Sequence, residues 1–154
     1  MVNQQQFGAY SFGFVCDIAV QRDTDGAVME FMPQSRYAKA AQTPLNRYGS
    51  GPFVKFKIPR NLKQSGVYAV TVDGNLKYIG EAVDLSSRYN AGYGNISPKN
   101  CYKGGQETNC RLNSLIHTAI LSGAQVELWF CEAGHYKAIE GELRRQLTPE
   151  WNRV

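Results

Sequence analysis

The sequence predicts an α/β fold of the α+β kind: a short three-stranded antiparallel sheet flanked by helices, with further strands added by the N-terminal third. Three observations carry this expectation. The β-formers Val67-Tyr68-Ala69-Val70-Thr71-Val72 lead into Asp73-Gly74, a type I′ hairpin signal, and Leu76-Lys77-Tyr78-Ile79 resumes the strand character. Val126 to Phe130 supplies a third strand. Tyr136 to Leu147 has the period of an amphipathic helix, with Ile139, Leu143 and Leu147 on one face.

Ahead of the hairpin, Phe14 to Val20 and Ala27 to Met32 read as strands around a turn at Thr24-Asp25-Gly26. Tyr48-Gly49-Ser50-Gly51-Pro52 reads as a loop before a strand from Phe53 to Ile58. After the hairpin, Asp84 caps a short helix that presents Arg88. Residues 90–103 form an acid-free loop rich in Gly and Asn and carrying Lys99 and Lys103. Thr108 or Asn109 then caps a helix whose buried stripe is Leu112, Leu115, Ile116, Ala119 and Ile120. Its polar side presents Asn109, Asn113 and His117, with Arg111 elsewhere on the exposed surface.

A chain of 154 residues is long enough for one well-buried domain. The expected division within it is a basic, β-rich extension over residues 1–62 on a core over residues 63–154. No apolar run approaches the length of a membrane span, and Met1 to Tyr10 is polar, so the expectation is a soluble cytoplasmic protein with no membrane partner. Cys16, Cys101, Cys110 and Cys131 lack a C-x-x-C pair, and His117 and His135 do not complete a zinc site; free thiols are expected. The formal net charge is only +4, but from Phe31 to Val72 there is no Asp or Glu. Arg36, Lys39, Arg47, Lys55, Lys57, Arg60 and Lys63 all fall in that stretch, interleaved with Tyr37, Tyr48, Phe53 and Phe56. The mixture suits phosphate contact with stacking, and it suits equally a solvated basic surface over an aromatic core.

On the hairpin alone, Tyr68 and Tyr78 read first as ordinary half-buried strand residues. Their company changes the reading. In order along the chain, Gly66-Val67-Tyr68, Tyr78-Ile79-Gly80, Arg88, Glu140 and Asn152 resemble the motif set of the GIY-YIG endonuclease superfamily, over about residues 66–152. Each tripeptide alone is a weak signal; the ordered set is specific. In general layout, with an insert between the arginine helix and a Thr-Asn helix, the chain is more loosely similar to compact type II restriction enzymes of that superfamily.

The resemblance implies a metal-dependent DNA endonuclease acting by a single displacement by water, leaving 5′-phosphate and 3′-hydroxyl ends. It implies that Tyr68 is the general base. A phenol with an ordinary pKa of about 10 needs nearby positive charge for that role, from Arg88, Lys77 or a divalent metal. Arg88 can fork across two phosphate oxygens, and Tyr78 would position water or phosphate. Glu140 is the expected ligand for Mg²⁺, with Mn²⁺ able to substitute and Glu142 as the fallback. The same Glu140 has the spacing of a surface ion pair with Arg144, worth about 0.3 to 0.5 kcal/mol. Asn152 would brace the site, since an amide has no useful proton chemistry. Glu81 departs from the neutral or basic residue that relatives carry there; it would either repel phosphate or help hold a metal.

Double-stranded DNA is the expected partner. Lys55, Lys57, Arg60, Lys99 and Lys103 are candidate backbone contacts, and Thr108, Asn109, Arg111 and Asn113 are candidate base readers at a helix N-terminus. A restriction or defence role, with a homodimer at least on DNA, is the first reading. A structure-specific repair or recombination nuclease and a catalytically inactive DNA-binding module are the alternatives, and an RNA-binding role has least support.

Overall fold

The computed structural model, which describes residues 3–153, contains the strands β1 (Gln4–Phe7), β2 (Tyr10–Asp17), β3 (Gly66–Val72), β4 (Asn75–Ala82) and β5 (Val126–Glu132). Its α-helices are α1 (Leu85–Arg88), α2 (Glu107–Leu121) and α3 (Tyr136–Leu147). The β3–β4 hairpin forms as the local sequence dictates: Asp73 and Gly74 take the positive φ values of 50° and 82° that a type I′ turn requires. Cross-strand pairing sets Tyr68 opposite Gly80 and Val70 opposite Tyr78, with a bulge where the register shifts after Val70.

The sheet has five strands, not the three expected. All neighbours are antiparallel, in the order β1-β2-β5-β3-β4. Three consecutive glutamines in β1 carry no apolar alternation, so the sequence concealed it. The expected strand from Phe14 to Val20 is displaced, running instead from Tyr10 to Asp17. Ala27 to Met32 and Phe53 to Ile58 do not form strands either; they make single bridges, Arg22 to Val28, Phe31 to Phe53 and Val20 to Phe56. No second strand can pair with Val54 on its own hydrogen-bonding side, because its backbone N–H and C=O are both bonded to the side chain of Asn113.

The described residues gather into two compact units that interleave along the chain. One takes the chain up to Ile18, Ile58–Arg88 and the chain from Ala124 onward; the other takes Ala19–Lys57 and Tyr89–Gly123. The first unit holds the sheet with α1 and α3. Its core is Phe7, Phe12, Val67, Ala69, Ile79, Trp129 and Leu143, and Ile139 and Leu147 pack against it, which seats the predicted stripe of α3 on the sheet. Asp84 accepts from the backbone N–H of Ser87 at 3.0 Å and so caps α1 as expected.

The second unit holds α2 around a core of Phe53, Ile96, Cys101, Tyr102 and Cys110, with Tyr37 stacked on Tyr102 at 4.6 Å between ring centroids. Cys101 and Cys110 share a hydrogen bond that holds the Cys101 thiol below its ordinary pKa and, with burial, pushes that of Cys110 well up. All four cysteines are thiols. Among the described residues, no helix is long and apolar enough to cross a membrane.

Candidate active site

The two motif tyrosines meet on one face of the hairpin. Tyr78 is the diagonal cross-strand neighbour of Tyr68, and their rings lie 6.0 Å apart with 31° between planes. Tyr68 is a core residue, only 1% exposed. Its ring crosses its cross-strand partner Gly80, where a side-chain carbon would sit 2.3 Å from Tyr68 Cζ and 2.4 Å from its hydroxyl oxygen. The last residue of the YIG-like tripeptide is therefore a glycine because a phenol occupies its side-chain space.

Glu140 stands on α3, which packs on β3 and β4. Its side chain is 17% exposed, and Arg144 Nη1 lies 3.6 Å from its carboxylate, so the i,i+4 pair anticipated from spacing does form. The carboxyl is nevertheless held above the ordinary glutamate value: burial raises it most, Arg144 pulls it down, and the charge of Glu81 pushes it up again. That last effect brings Glu81, next to Gly80 on β4, within electrostatic reach of Glu140. A partly desolvated carboxylate that feels a second one nearby fits a hard divalent cation, which takes one or two protein carboxylates and completes its shell with water or phosphate oxygens. No group of three or more His, Cys, Asp or Glu gathers among the described residues, so a transition-metal cage of protein ligands is not built there. Glu142 is a poor fallback. It accepts a hydrogen bond from the Tyr10 hydroxyl at 3.2 Å and, two residues from Glu140 on a helix, faces another way.

Asn152 is a positioning residue. After α3, Thr148 adopts the left-handed conformation (φ 39°, ψ 60°) and Pro149 follows, turning the chain toward β4. The Trp151 N–H donates to Lys77 O at 2.8 Å. Asn152 then imitates a peptide group: its Oδ1 accepts from the Ile79 N–H and its Nδ2 donates to Ile79 O, both at 2.9 Å. The middle residue of the YIG-like tripeptide is thereby gripped from the outer edge. Lys77, expected to lend its charge to Tyr68, instead pairs with Glu150 in the same terminal segment. Arg88 ends α1, with its N–H bonded to Asp84 O at 3.0 Å.

The helix expected to read bases is corrected. α2 starts at Glu107 without a side-chain cap, so Thr108 and Asn109 lie inside its first turn. Asn109, Asn113 and His117 do share a face, as their spacing predicts, but that face is inward: they are 4%, 0% and 7% exposed. Asn113 donates to Val54 O at 2.8 Å and to Tyr93 O at 2.7 Å, and accepts from the Val54 N–H at 3.0 Å. His117 Nε2 lies 2.9 Å from Glu30 Oε2, outside hydrogen-bond geometry. Periodicity identifies a polar face; it does not say that the face meets water. Asn113→Ala should therefore lower stability by about 2 kcal/mol, by leaving Val54 and Tyr93 backbone groups buried and unpaired. A thermal melt indistinguishable from that of the wild type would show that the three bonds do not matter.

The basic segment is also altered. Phe53 and Phe56 are 1% and 3% exposed and cannot stack on a base, whereas Tyr37 and Tyr48 are half-buried against the same core. Arg47 is opposed after all, by Glu107 at 3.1 Å. Lys57, Arg60, Lys99 and Lys103 are exposed, and Lys55 and Arg111 are half-exposed. Lys55 Nζ sits 4.4 Å from the centroid of Phe31.

The chain thus combines an antiparallel sheet flanked by helices with a paired-tyrosine hairpin backed by carboxylates. No protein-family model and no curated protein sequence matches it. Among solved structures it is similar to a point mutant of bacteriophage T4 EndoII, at 20% sequence identity and a TM-score of 0.49, over 72% of this chain and 87% of that one.

Proposed function

We propose that this protein is a metal-dependent DNA endonuclease of the GIY-YIG kind, cutting double-stranded DNA. The observation that carries the reading is the hairpin that holds Tyr68 and Tyr78 side by side and, at its β4 end, sets Glu81 within electrostatic reach of the half-buried Glu140. Glu140, with Glu81, would hold Mg²⁺ or Mn²⁺, which when bound supplies counter-charge to the phosphate and to the leaving 3′ oxygen. Tyr68, held by burial over Gly80, would accept a proton from water, and Tyr78 would orient that water or a phosphate oxygen. Arg88 contributes a permanent charge for the transition state. Asn152 keeps Ile79, and hence the second tyrosine's strand, in register. Exposed Lys57, Arg60, Lys99 and Lys103 supply a sequence-independent hold on the DNA backbone. A cytoplasmic restriction or defence enzyme that pairs on DNA to cut both strands is the role proposed.

One observation favours a second reading, a DNA-binding module without cleavage: the hydroxyl of Tyr68 belongs to a core residue. Incubation of plasmid DNA with the protein in Mg²⁺, and then in Mn²⁺, separates the two. Discrete fragments with 5′-phosphate and 3′-hydroxyl ends, absent when EDTA is added, are expected. Binding without any cut would establish the module, and cleavage confined to branched DNA would move the role to repair or recombination.

A further inference from the structure

With Asn109 and Asn113 facing the core, the start of α2 keeps only Thr108 and Arg111 of its four candidate base readers, and the second unit offers a built place for others. A cavity of about 450 Å³ is lined by Gln21, Lys55, Lys57, Asn90, Gly94 and Asn95, and among the described residues no acidic side chain lines it. Three separate chain segments make it, and backbone bonds pin each to the next. The Gln21 N–H donates to Lys55 O at 2.7 Å, and the Phe56 N–H to Gly94 O at 3.1 Å. The Gly94 N–H in turn donates to Tyr89 O at 2.7 Å. The approach at Gly94 is so close that a side-chain carbon there would sit 2.1 Å from Phe56 O. From beneath, buried Asn113 ties Val54 to Tyr93 and so locks two of the segments together. The amides are thereby carried on a rigid frame, while Gln21 and Asn95 are themselves exposed.

We infer that this cavity reads base edges of the bound DNA, through Gln21 and Asn95, with Asn90 and the two lysines also in its lining. The inference rests on the nuclease reading and adds to it the sequence-determining element. The chemistry fits: a carboxamide both donates and accepts and so matches the N6 and N7 edge of adenine, whereas lysine suits guanine O6 and N7 or a flanking phosphate. A cavity free of carboxylates admits the polyanion without local repulsion.

The test is cleavage of a random-sequence duplex library in Mg²⁺, and in parallel in Mn²⁺, with sequencing of the cut ends. Wild-type protein should show base preferences near the cut. Gln21→Ala and Asn95→Ala, made separately and checked by thermal melting, should each relax the preference at one or two adjacent positions by about 5- to 100-fold. Lys57→Ala should instead weaken binding to all sequences alike and reduce the slope of affinity against salt by about one. Wild-type profiles from both amide variants would overturn the inference while leaving the nuclease intact, as would wild-type cutting with no base preference at all. Failure of the wild type to bind or cut any member of the library would instead remove the nuclease reading, and the inference with it.

Discussion

Glu140→Gln should reduce DNA cleavage by about 1,000-fold or more while leaving DNA binding in the absence of metal unchanged in affinity. Glutamine keeps the size of the side chain and its fit between α3 and the sheet, but it removes the charge that would hold the cation. Loss of a group that stabilises transition-state charge costs factors of about 100 to 1,000 in known cases, and loss of the metal itself adds to that. Stability should move the other way. The folded protein holds this carboxyl above its ordinary value of 4.5, chiefly through burial, so ionising it opposes folding. Its favourable contribution is present below the unfolded value and is lost as pH rises through the folded one. Metal-free Glu140→Gln should therefore melt above the wild type at neutral pH, with the gap closing as pH falls through the raised folded value and gone below the unfolded value of about 4.5.

Metal acts in the opposite direction. A cation at about ten times its Kd adds about 1.4 kcal/mol to the wild type, and it should leave Glu140→Gln unmoved. Melting curves with and without Mg²⁺ at two pH values thus test the ligand independently of cleavage. Equal response to Mg²⁺ in both proteins would place the metal elsewhere.

How much of this was legible beforehand depends on the range over which each signal acts. The β3–β4 hairpin is encoded within a dozen residues by β-formers and Asp73-Gly74, and it formed as read. The stripe of Ile139, Leu143 and Leu147 is likewise local, because a helix period needs no partner to be visible. Asn109, Asn113 and His117 show where that logic ends. Their spacing identified a shared face, but α2 is covered on that side too, by the Val54 and Tyr93 segments that a reader of the chain has no means of placing. The reach between Glu81 and Glu140, and the grip of Asn152 on Ile79, join residues far apart in sequence and became visible only in the folded chain. The cavity around Gln21 and Asn95 left no trace in the sequence for the same reason: three segments assemble it, and none is remarkable by its own composition.

Gly80→Ala should be strongly disruptive for a single added methyl, costing about 3 kcal/mol and at least about 100-fold in cleavage. Alanine is no worse than glycine for a strand in general, so the effect must come from the neighbour. The added carbon would sit 2.3 Å from Cζ of Tyr68 and 2.8 Å from its Cε1, far inside any tolerable contact. Tyr68 cannot yield cheaply, because it is 1% exposed and packed in the sheet, and overpacking a dense interior forces off-rotamer side chains or backbone shifts. Whatever moves, the phenol leaves the place in which it stands beside Tyr78. The cause is separable from general strand damage by a double-mutant cycle. Once Tyr68→Ala has removed the ring, Gly80→Ala should cost almost nothing further, giving a coupling of about 2 to 3 kcal/mol between the two positions. Additive losses would mean that the glycine is required by something other than the tyrosine it faces, and the link between the two tripeptides would have to be sought in the backbone instead.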